Sequence, residues 1–283
     1  MEIVTNPATL QEQCLSWKSQ GLSIALVPTM GYFHPGHESL MQEGRKLADK
    51  LVVSLFVNPT QFEPGSDLEG YPRDPLKDTE IAMQHGTDIL FMPTPESMYY
   101  PDHAAWVEVP ELARTLCGQA RPSHFRGVAT VVTKLFMLAQ PTWALFGEKD
   151  WQQLAIIRRL VRDLSIPVQV IGMPVVRESD GLAMSSRNTY LSPEEREEAQ
   201  HIQQGLRLAQ DMVAAGVTRE TSVLQSAIRE YWQRNMPSAR EDYLCFVDPD
   251  TLQPAAEISG PTLAAAAVHM ARARLIDNLL MQF

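Results

Sequence analysis

The sequence predicts an α/β fold in which a doubly wound parallel sheet is followed by a smaller α+β domain. Short apolar runs alternate with helical windows through the first 175 residues. The runs are predominantly apolar, which is typical of strands that crossover helices bury on both faces. After about residue 176 the alternation stops. Because 283 residues are long for one compact core, we predict two domains, 1–175 and 176–283.

Five apolar runs predict the strands of the sheet. Helical periodicity fills the intervals between the runs. In chain order the predicted strands are residues 22–27, 51–57, 89–92, 143–146 and 168–176, and the predicted helices are 38–50, 74–85, 128–140 and 151–165. Ligands of such sheets bind beyond the carboxyl ends of the strands, so the residues at those ends are the candidates for a site.

Four polar motifs follow four of the predicted strands. They are His34-Pro35-Gly36-His37, Asn58-Pro59-Thr60-Gln61, Gly147-Glu148-Lys149-Asp150 and, beyond Arg177, Met184-Ser185-Ser186-Arg187. Because parallel strands end at one edge of their sheet, we expect the four motifs to converge on one cleft. Residues 63–70, which follow the second motif, are predicted to form a mobile loop that acts as a lid.

The carboxyl-terminal part begins with a strong helix signal. Ser192 suits the N-cap, Pro193 the first helical position, and Glu195 completes a capping box. We predict a helix from there to Gly216, a second at 221–233 and a strand at 243–247. Residues 263–270 stay ambiguous, since their alanines favour helix while their apolar continuity suits a strand.

Composition argues against nucleic-acid binding and indicates the compartment in which the protein works. The net charge is −10, without a stripe of Lys and Arg, which argues against nucleic-acid binding. No signal peptide or membrane-spanning stretch is expected. The three cysteines, Cys14, Cys117 and Cys245, are an odd number and lie far apart. They predict reduced thiols and, with the missing targeting signals, a cytoplasmic protein.

The two histidines are the strongest candidates for catalysis. His34 and His37 stand at the mouth of a predicted helix, whose N-terminal N–H groups and dipole attract anions. Imidazoles placed there can donate to charge that builds on a phosphoryl group under attack. They are alternatively surface histidines that cap the helix. A zinc site is a weaker alternative, because no Glu-x-x-His or Cys cluster accompanies them.

The remaining candidates each have a structural alternative. Lys149 is placed to meet a phosphate, although lysines are usually solvated. Asp150 can accept from a ribose hydroxyl or cap the next helix. Ser185, Ser186 and Arg187 offer hydroxyls and a guanidinium for phosphate, or form an ordinary polar turn. Two glutamines near strand ends can orient a polar substrate or lie on the surface: Gln61 and Gln153.

Together these motifs resemble the pantothenate synthetase family of the His-x-Gly-His nucleotidyltransferase superfamily. The 184–187 segment resembles the serine-rich loop that accompanies His-x-Gly-His in nucleotidyltransferases. The resemblance spans nearly the whole chain and rests on Pro28–Gly31, His34–His37, 56–62, 71–73, 121–128, 146–154, 181–188 and 274–278. Phe33 stands where the family usually has leucine, and Pro35 where it often has an acidic residue. Neither departure touches the histidines or Gly36.

The resemblance implies an ATP-dependent ligase that joins pantoate to β-alanine through pantoyl adenylate, releasing AMP and pyrophosphate. It also implies Mg²⁺ with ATP, although the sequence suggests no ligands for the metal. The family has a Rossmann-like amino-terminal domain that would bind ATP and pantoate, a smaller carboxyl-terminal lid domain, and forms homodimers. It implies catalytic roles for His34, His37, Lys149 and Arg187, and pantoate binding by Gln61 and Gln153, with Gln61 also at the β-alanine site. The implied ATP-binding residues are Met30, Gly31, Tyr32, Phe33, His34, Pro35, Gly36, His37, Gly147, Glu148, Lys149, Asp150, Val176, Met184, Ser185, Ser186 and Arg187.

Two other hypotheses remain at this point. One is another small-molecule nucleotidyltransferase of the same superfamily, which would make a stable nucleotide conjugate instead of releasing AMP. The other is a nucleotide-binding module without catalytic activity. The complete motif set argues against a module without catalytic activity. Identifying the nucleotide product, AMP or a stable conjugate, distinguishes a ligase from another nucleotidyltransferase.

Overall fold

The structure, a computed structural model, describes residues 1–63 and 68–282. The chain divides into two compact units. The first comprises Met1–Arg114, Gly118–Glu148 and Ile156–Pro174, and the second comprises Thr115–Cys117, Lys149–Ala155 and Val175–Phe283. Two short segments from earlier in the chain thus belong to the second unit. Part of the predicted lid loop, residues 64–67, lies outside the described residues.

A six-stranded parallel sheet forms the centre of the first unit, which confirms the predicted sheet. Its order is β1-β4-β3-β2-β5-β6, with every pairing parallel. The strands are β1 Glu2–Val4, β2 Ile24–Thr29, β3 Lys50–Leu55, β4 Ile89–Phe91, β5 Trp143–Gly147 and β6 Gln169–Met173. The five predicted strands correspond to β2–β6, with ends that shift by a few residues. The edge strand β1 was not predicted, because three residues are too few to show a pattern.

Helices connect the strands and cover the sheet. Several begin at a proline whose missing N–H costs nothing at the first helical position, including α1, α2 and α3. Val27, Leu51 and Leu145 of the sheet are fully buried with Met41 of α2 in one cluster. In chain order these helices are α1 Pro7–Ser19, α2 Pro35–Leu47, α3 Pro75–Gln84, α4 Pro95–Met98, α5 Pro110–Ala113, α6 Cys117–Ala120, α7 His124–Ala139 and α8 Trp151–Asp163. Three further helices, α9 Pro193–Ala199, α10 His201–Ala214 and α11 Thr221–Asn235, belong to the second unit.

The order of the strands reverses its direction of growth between β2 and β5. From β2 the chain adds β3 and β4 on one side, and β5 and β6 then extend the other side. In open α/β sheets, the crevice at such a switch point is where ligands bind. The segment that follows β2 contains the two histidines, and Gly147 ends β5. The topology therefore places the candidate ligand site at these two strand ends.

The second unit contains a three-stranded antiparallel sheet. Its strands are β7 Arg240–Val247, β8 Thr262–His269 and β9 Arg274–Met281, in that order. The ambiguous segment 263–270 is therefore a strand, since β8 pairs on both sides. The single helix predicted from Ser192 to Gly216 was wrong: it is interrupted at Gln200, which separates α9 from α10. The Ser192 capping box is present as predicted.

None of the helices in the described ranges combines the length and apolar character needed to cross a bilayer.

Candidate active site

Helix α2 begins with a reciprocal pair of caps made by two histidines. The backbone N–H of Gly36 donates to Nδ1 of His34 at 3.1 Å, and the N–H of His34 donates to Nδ1 of His37 at 3.3 Å. The ring centroids are 4.1 Å apart. A backbone N–H can donate only to an unprotonated ring nitrogen, so each neutral imidazole carries its proton on Nε2. The motif thus provides two Nε2–H donors at the positive end of a helix.

Gly36 is required by the histidine caps themselves. A Cβ at this position would lie 2.8 Å and 2.9 Å from two atoms of the His34 ring. Any larger residue would push the ring away from the backbone N–H that it caps. The spacing of the motif therefore follows from the geometry of the helix start.

Asp78, which was not among the predicted site residues, holds the turn before the histidines. The Asp78 carboxylate accepts from the backbone N–H groups of Tyr32 at 2.7 Å and Phe33 at 2.6 Å. Tyr32 adopts the left-handed conformation, with φ of 54°. Burial raises the pKa of Asp78, and the two backbone donors partly oppose that shift. A Cβ on Gly31 would lie 2.9 Å from this carboxylate.

Gln61 and Met30 come together at the ends of β3 and β2. Gln61 is 8% exposed, and its Nε2 lies 3.0 Å from the sulfur of Met30. Asn58, also buried, donates to Oε1 of Gln61 at 3.2 Å and to the carbonyl of Gly127 at 3.2 Å. Because Asn58 holds the Gln61 oxygen, the Gln61 amide nitrogen is the atom left facing Met30. Asn58 was a motif residue in the sequence, but its orienting contact was not foreseen.

Lys149 and Asp150 belong to the second unit, whereas Gly147 and Glu148 belong to the first. The Lys149 side chain is 18% exposed, and its ammonium lies 4.0 Å from the Asp150 carboxylate. At that distance the ion pair takes up little of the donor capacity of the ammonium. The carbonyl of Lys149 accepts from Nδ2 of Asn278 at 2.9 Å.

The serine-rich segment forms a short 3₁₀ helix, Ser186–Tyr190, in the same unit. Ser185 is its N-cap, and its hydroxyl accepts from the N–H of Arg187 at 3.2 Å. Ser186 is buried, and Ser185 lines one cavity together with Lys149, Asn188 and Asp277. Lys149 and the start of the serine loop therefore line the same cavity of the second unit.

A hairpin between residues 176 and 184 leads into this loop. The N–H of Met184 donates to the carbonyl of Val176 at 3.0 Å, and the N–H of Glu178 donates to that of Leu182 at 2.8 Å. Arg196 contacts both Glu178 and Asp180 through its guanidinium. The hydrogen bond from Arg196 lowers the pKa of Asp180. These contacts fix the residues that precede Met184.

Gln153 and Gln152 have different environments on α8. Gln152 is buried, and its amide donates to the Thr115 carbonyl at 2.7 Å and accepts from the N–H of Cys117 at 3.0 Å. It therefore holds the 115–117 segment within the second unit. Gln153 is half-buried in the same unit. Its predicted contact with pantoate stays a prediction, and so does the convergence of all four motifs on one cleft.

No protein cage for a metal ion is present in the part of the chain that the structure describes. Three or more His, Cys, Asp or Glu side chains do not come together there in a way that would hold an ion. His34 and His37 use Nδ1 for backbone caps, which is consistent with hydrogen bonding as their task.

Comparison with protein families matches one family model to nearly the whole chain. The Pantoate-beta-alanine ligase model matches residues 2–280. Two relatives named pantothenate synthetase illustrate the similarity. The protein from Oleidesulfovibrio alaskensis is 57% identical over 281 residues, 99% of this chain and 100% of its own. The protein from Desulfovibrio desulfuricans is 58% identical, over 99% of both chains.

Solved structures show the same similarity in three dimensions. Pantothenate synthetase from Thermus thermophilus superposes with a TM-score of 0.91 at 43% identity, covering 99% of both chains. Pantoate-beta-alanine ligase from Francisella tularensis, solved with beta-gamma ATP and beta-alanine, gives a TM-score of 0.80 at 32% identity, covering 99% of this chain and 97% of that one. The sequence resemblance is thus confirmed, and the chain belongs to the pantoate–β-alanine ligase family.

Proposed function

We propose that this protein condenses pantoate with β-alanine in a reaction that consumes ATP. In the first step the pantoate carboxylate attacks the α-phosphorus of ATP, and the bond to the β-phosphate breaks to release pyrophosphate. In the second step the amine of β-alanine attacks the acyl carbon of pantoyl adenylate. The bond to AMP then breaks, the amine loses a proton, and pantothenate is released.

The observation that carries this proposal is the start of α2. The charge that develops in the first step lies on phosphoryl oxygens, so the enzyme needs placed donors more than a nucleophile. His34 and His37 offer Nε2–H donors at the positive end of α2, because backbone N–H groups occupy both Nδ1 atoms. We assign His37 as the donor to the α-phosphate and His34 as its companion. Met30 to Phe33 line the nucleotide beside them.

Pantoate is assigned to Gln61 and Gln153. The fixed orientation of the Gln61 amide supports its part, since Asn58 holds the oxygen and leaves the nitrogen to donate. An amide donor suits the hydroxyls and carboxylate of a small acid and adds no charge of its own. Because β-alanine attacks the pantoyl carbon, Gln61 also borders the β-alanine position.

The phosphates are assigned to the second unit. Lys149, Ser185, Ser186 and Arg187 supply an ammonium, two hydroxyls and a guanidinium, which together suit the polyphosphate. The shared cavity of Lys149 and Ser185 supports this assignment. Residues that complete the ATP site in the proposal are Gly147, Glu148, Asp150, Val176 and Met184.

Mg²⁺ is proposed to enter with ATP. This ion keeps several waters and commonly takes phosphate oxygens in place of a full set of protein ligands. That preference fits a described structure in which acidic side chains do not cluster as a cage. When bound, the ion would neutralise charge on the leaving pyrophosphate. We also propose a homodimer, which sedimentation equilibrium would test by giving twice the 31.7 kDa chain mass.

Pyrophosphate exchange tests the proposed reaction. Labelled pyrophosphate should enter ATP when pantoate is present and β-alanine is absent. Adding β-alanine should then give AMP and pantothenate in equal amounts. Exchange that requires β-alanine would refute the two-step route, and a stable nucleotide conjugate in place of AMP would identify another nucleotidyltransferase.

A further inference from the structure

Strand β9 places two buried polar residues side by side. Asp277 is 4% exposed and Asn278 is 6% exposed. Asp277 lies in the row that includes Leu275, Leu279 and Met281, which all contact the apolar core of the second unit. A carboxylate in an apolar row is costly unless it is paired and hydrogen-bonded. Neither residue has a role in the sequence analysis or in the proposed chemistry.

Asp277 forms a two-point ion pair with Arg177. The Arg177 guanidinium donates to both carboxylate oxygens, at 2.8 Å and 2.9 Å. It also donates to the carbonyl of Gly181 at 3.0 Å, across the hairpin that leads to Met184. Because Gly181 has a φ of +99°, the backbone here tolerates little substitution. Asp277 thus holds the base of the serine loop through Arg177.

Asn278 holds the other phosphate-binding element. Its Nδ2 donates to the carbonyl of Lys149 at 2.9 Å. The carbonyl of Asn278 accepts from Arg177 at 3.3 Å, and its N–H donates to Asp277 at 2.8 Å. Two consecutive residues therefore connect the main chain of Lys149 to the 177–187 segment. The cavity shared by Lys149, Ser185 and Asp277 lies beside these contacts.

We infer that Asp277 and Asn278 are positioning residues for adenylate formation, holding Lys149 and the 177–187 segment at the spacing that the phosphates of ATP require. This inference rests on the proposed function. A buried ion pair is a weak source of stability, since an apolar pair often replaces it without loss. The effect of the ion pair here is geometric, because it holds the start of the 177–187 segment, while Asn278 holds the main chain of Lys149. Small displacements of such groups cost rate.

The test compares the two half-reactions in Asn278→Ala. Pantoate-dependent pyrophosphate exchange measures the first, and attack of β-alanine on supplied pantoyl adenylate measures the second. We expect the turnover of exchange to fall at least about tenfold, because misplaced reacting groups react more slowly. The KM for ATP should also rise. The second half-reaction should stay within a few-fold. Equal slowing of both, or an unchanged exchange, would overturn the inference.

Two further variants separate positioning from loss of structure. Gln225→Ala is the matched control, because Gln225 also donates an amide hydrogen bond to a carbonyl of the second unit, that of Leu244 at 3.1 Å. It should leave exchange unchanged. Asp277→Asn keeps the shape and one acceptor oxygen while weakening the Arg177 contact. It should raise the KM for ATP about tenfold, the scale of a hydrogen bond to a charged group, and an unchanged KM would count against the loop contact.

The outcomes distinguish this inference from the proposed function. A wild-type chain without pantoate-dependent exchange would refute the proposed function itself. Wild-type exchange together with a fully active, folded Asn278→Ala variant would refute only the positioning role. All rates are compared at a temperature where the thermal melt of each variant shows a folded protein.

Discussion

The backbone N–H of His34 donates to Nδ1 of His37 at 3.3 Å, so the second histidine of the motif caps the residue that begins it. The Gly36 N–H makes the matching contact to Nδ1 of His34. The two rings thus stabilise the helix start through Nδ1, and each neutral ring carries its proton on Nε2. In the proposed mechanism, the same two side chains cap the helix through Nδ1 and donate to phosphate through Nε2.

The tautomers of His34 and His37 can be observed directly. We predict that both neutral rings carry the proton on Nε2, because a backbone N–H occupies Nδ1. Nitrogen-15 NMR of labelled protein, assigned with His34→Gln and His37→Gln variants, measures this. A ring with a protonated Nδ1 would contradict the capping arrangement. His201, whose Nδ1 lies 2.7 Å from the hydroxyl of Tyr231, serves as an internal comparison in which a side chain contacts Nδ1.

Lys149→Ala should mainly slow adenylate formation. An ammonium that meets charge as it builds on the phosphates acts on the transition state, so turnover should fall by about 10²–10³. Pyrophosphate exchange at saturating ATP measures the change. Lys46→Ala is the control, because Lys46 is 71% exposed and pairs with Glu43 on the surface. Weak ATP binding with normal turnover at saturation would make Lys149 a ground-state binder.

Asp78→Asn should disturb the turn at Tyr32 and Phe33. An amide can accept only through its oxygen, so one of the two backbone N–H groups would face an NH₂ donor. We expect a loss of about 1–3 kcal/mol in the free energy of unfolding, as for a buried donor left unsatisfied, together with slower exchange. Asp74→Asn is the control, since Asn caps α3 as well as Asp does.

The destabilisation by Asp78→Asn should also depend on pH. Burial raises the pKa of the Asp78 carboxyl in the folded protein. The folded state therefore binds more protons than the unfolded state between the ordinary aspartate pKa, about 3.9, and the higher folded value. The contribution of Asp78 to the free energy of unfolding of the wild type therefore falls as pH rises through that window, whereas the asparagine of the variant does not titrate. The difference between the two melting temperatures should hence be larger near pH 4 than at neutral pH, and the opposite trend would contradict the assignment.

Much of the candidate site was predictable because its motifs are local. The strand, the glycine and the two histidines lie within fourteen residues of the chain, from Ile24 to His37. Asp78 was not predictable, since a carboxylate in the first turn of α3 is what the helix dipole favours anyway. Its contact with Tyr32 depends on tertiary packing across 46 positions.

For the fold, too, the predictable elements were those set by their own local sequence. The buried strands β2 to β5 were found from apolar runs alone, whereas residues 263–270 became a strand only because β7 and β9 pair with them. The histidine caps were considered only as an alternative to catalysis, because histidine is not among the preferred N-cap residues. The structure shows the two caps, and donation through Nε2 stays a prediction.

The cysteines should have no covalent role. Burial raises the pKa of Cys14 to about 12, which leaves a thiol that is a poor nucleophile. Cys117 contacts the Tyr243 hydroxyl at 3.3 Å and the Arg274 guanidinium at 3.4 Å within the second unit. The adenylate already activates the acyl group. Replacing Cys14, Cys117 and Cys245 with alanine should keep turnover within a few-fold, and an acyl adduct on any of them in mass spectra would contradict this.

The most direct test of the account compares His37→Asn with His37→Gln in both half-reactions. The Asn oxygen can replace Nδ1 as the cap of His34 but offers no donor at the Nε2 position, whereas the Gln nitrogen replaces Nε2–H and loses the cap. We predict that His37→Asn keeps the thermal midpoint of the wild type and slows pyrophosphate exchange by about 10²–10³, the cost of one preorganised donor. Attack of β-alanine on supplied pantoyl adenylate should be much less affected, and His37→Gln should exchange faster than His37→Asn although it is less stable. Equal slowing of both half-reactions in a folded His37→Asn variant, or exchange at the wild-type rate, would contradict the role of His37 as the donor to the α-phosphate.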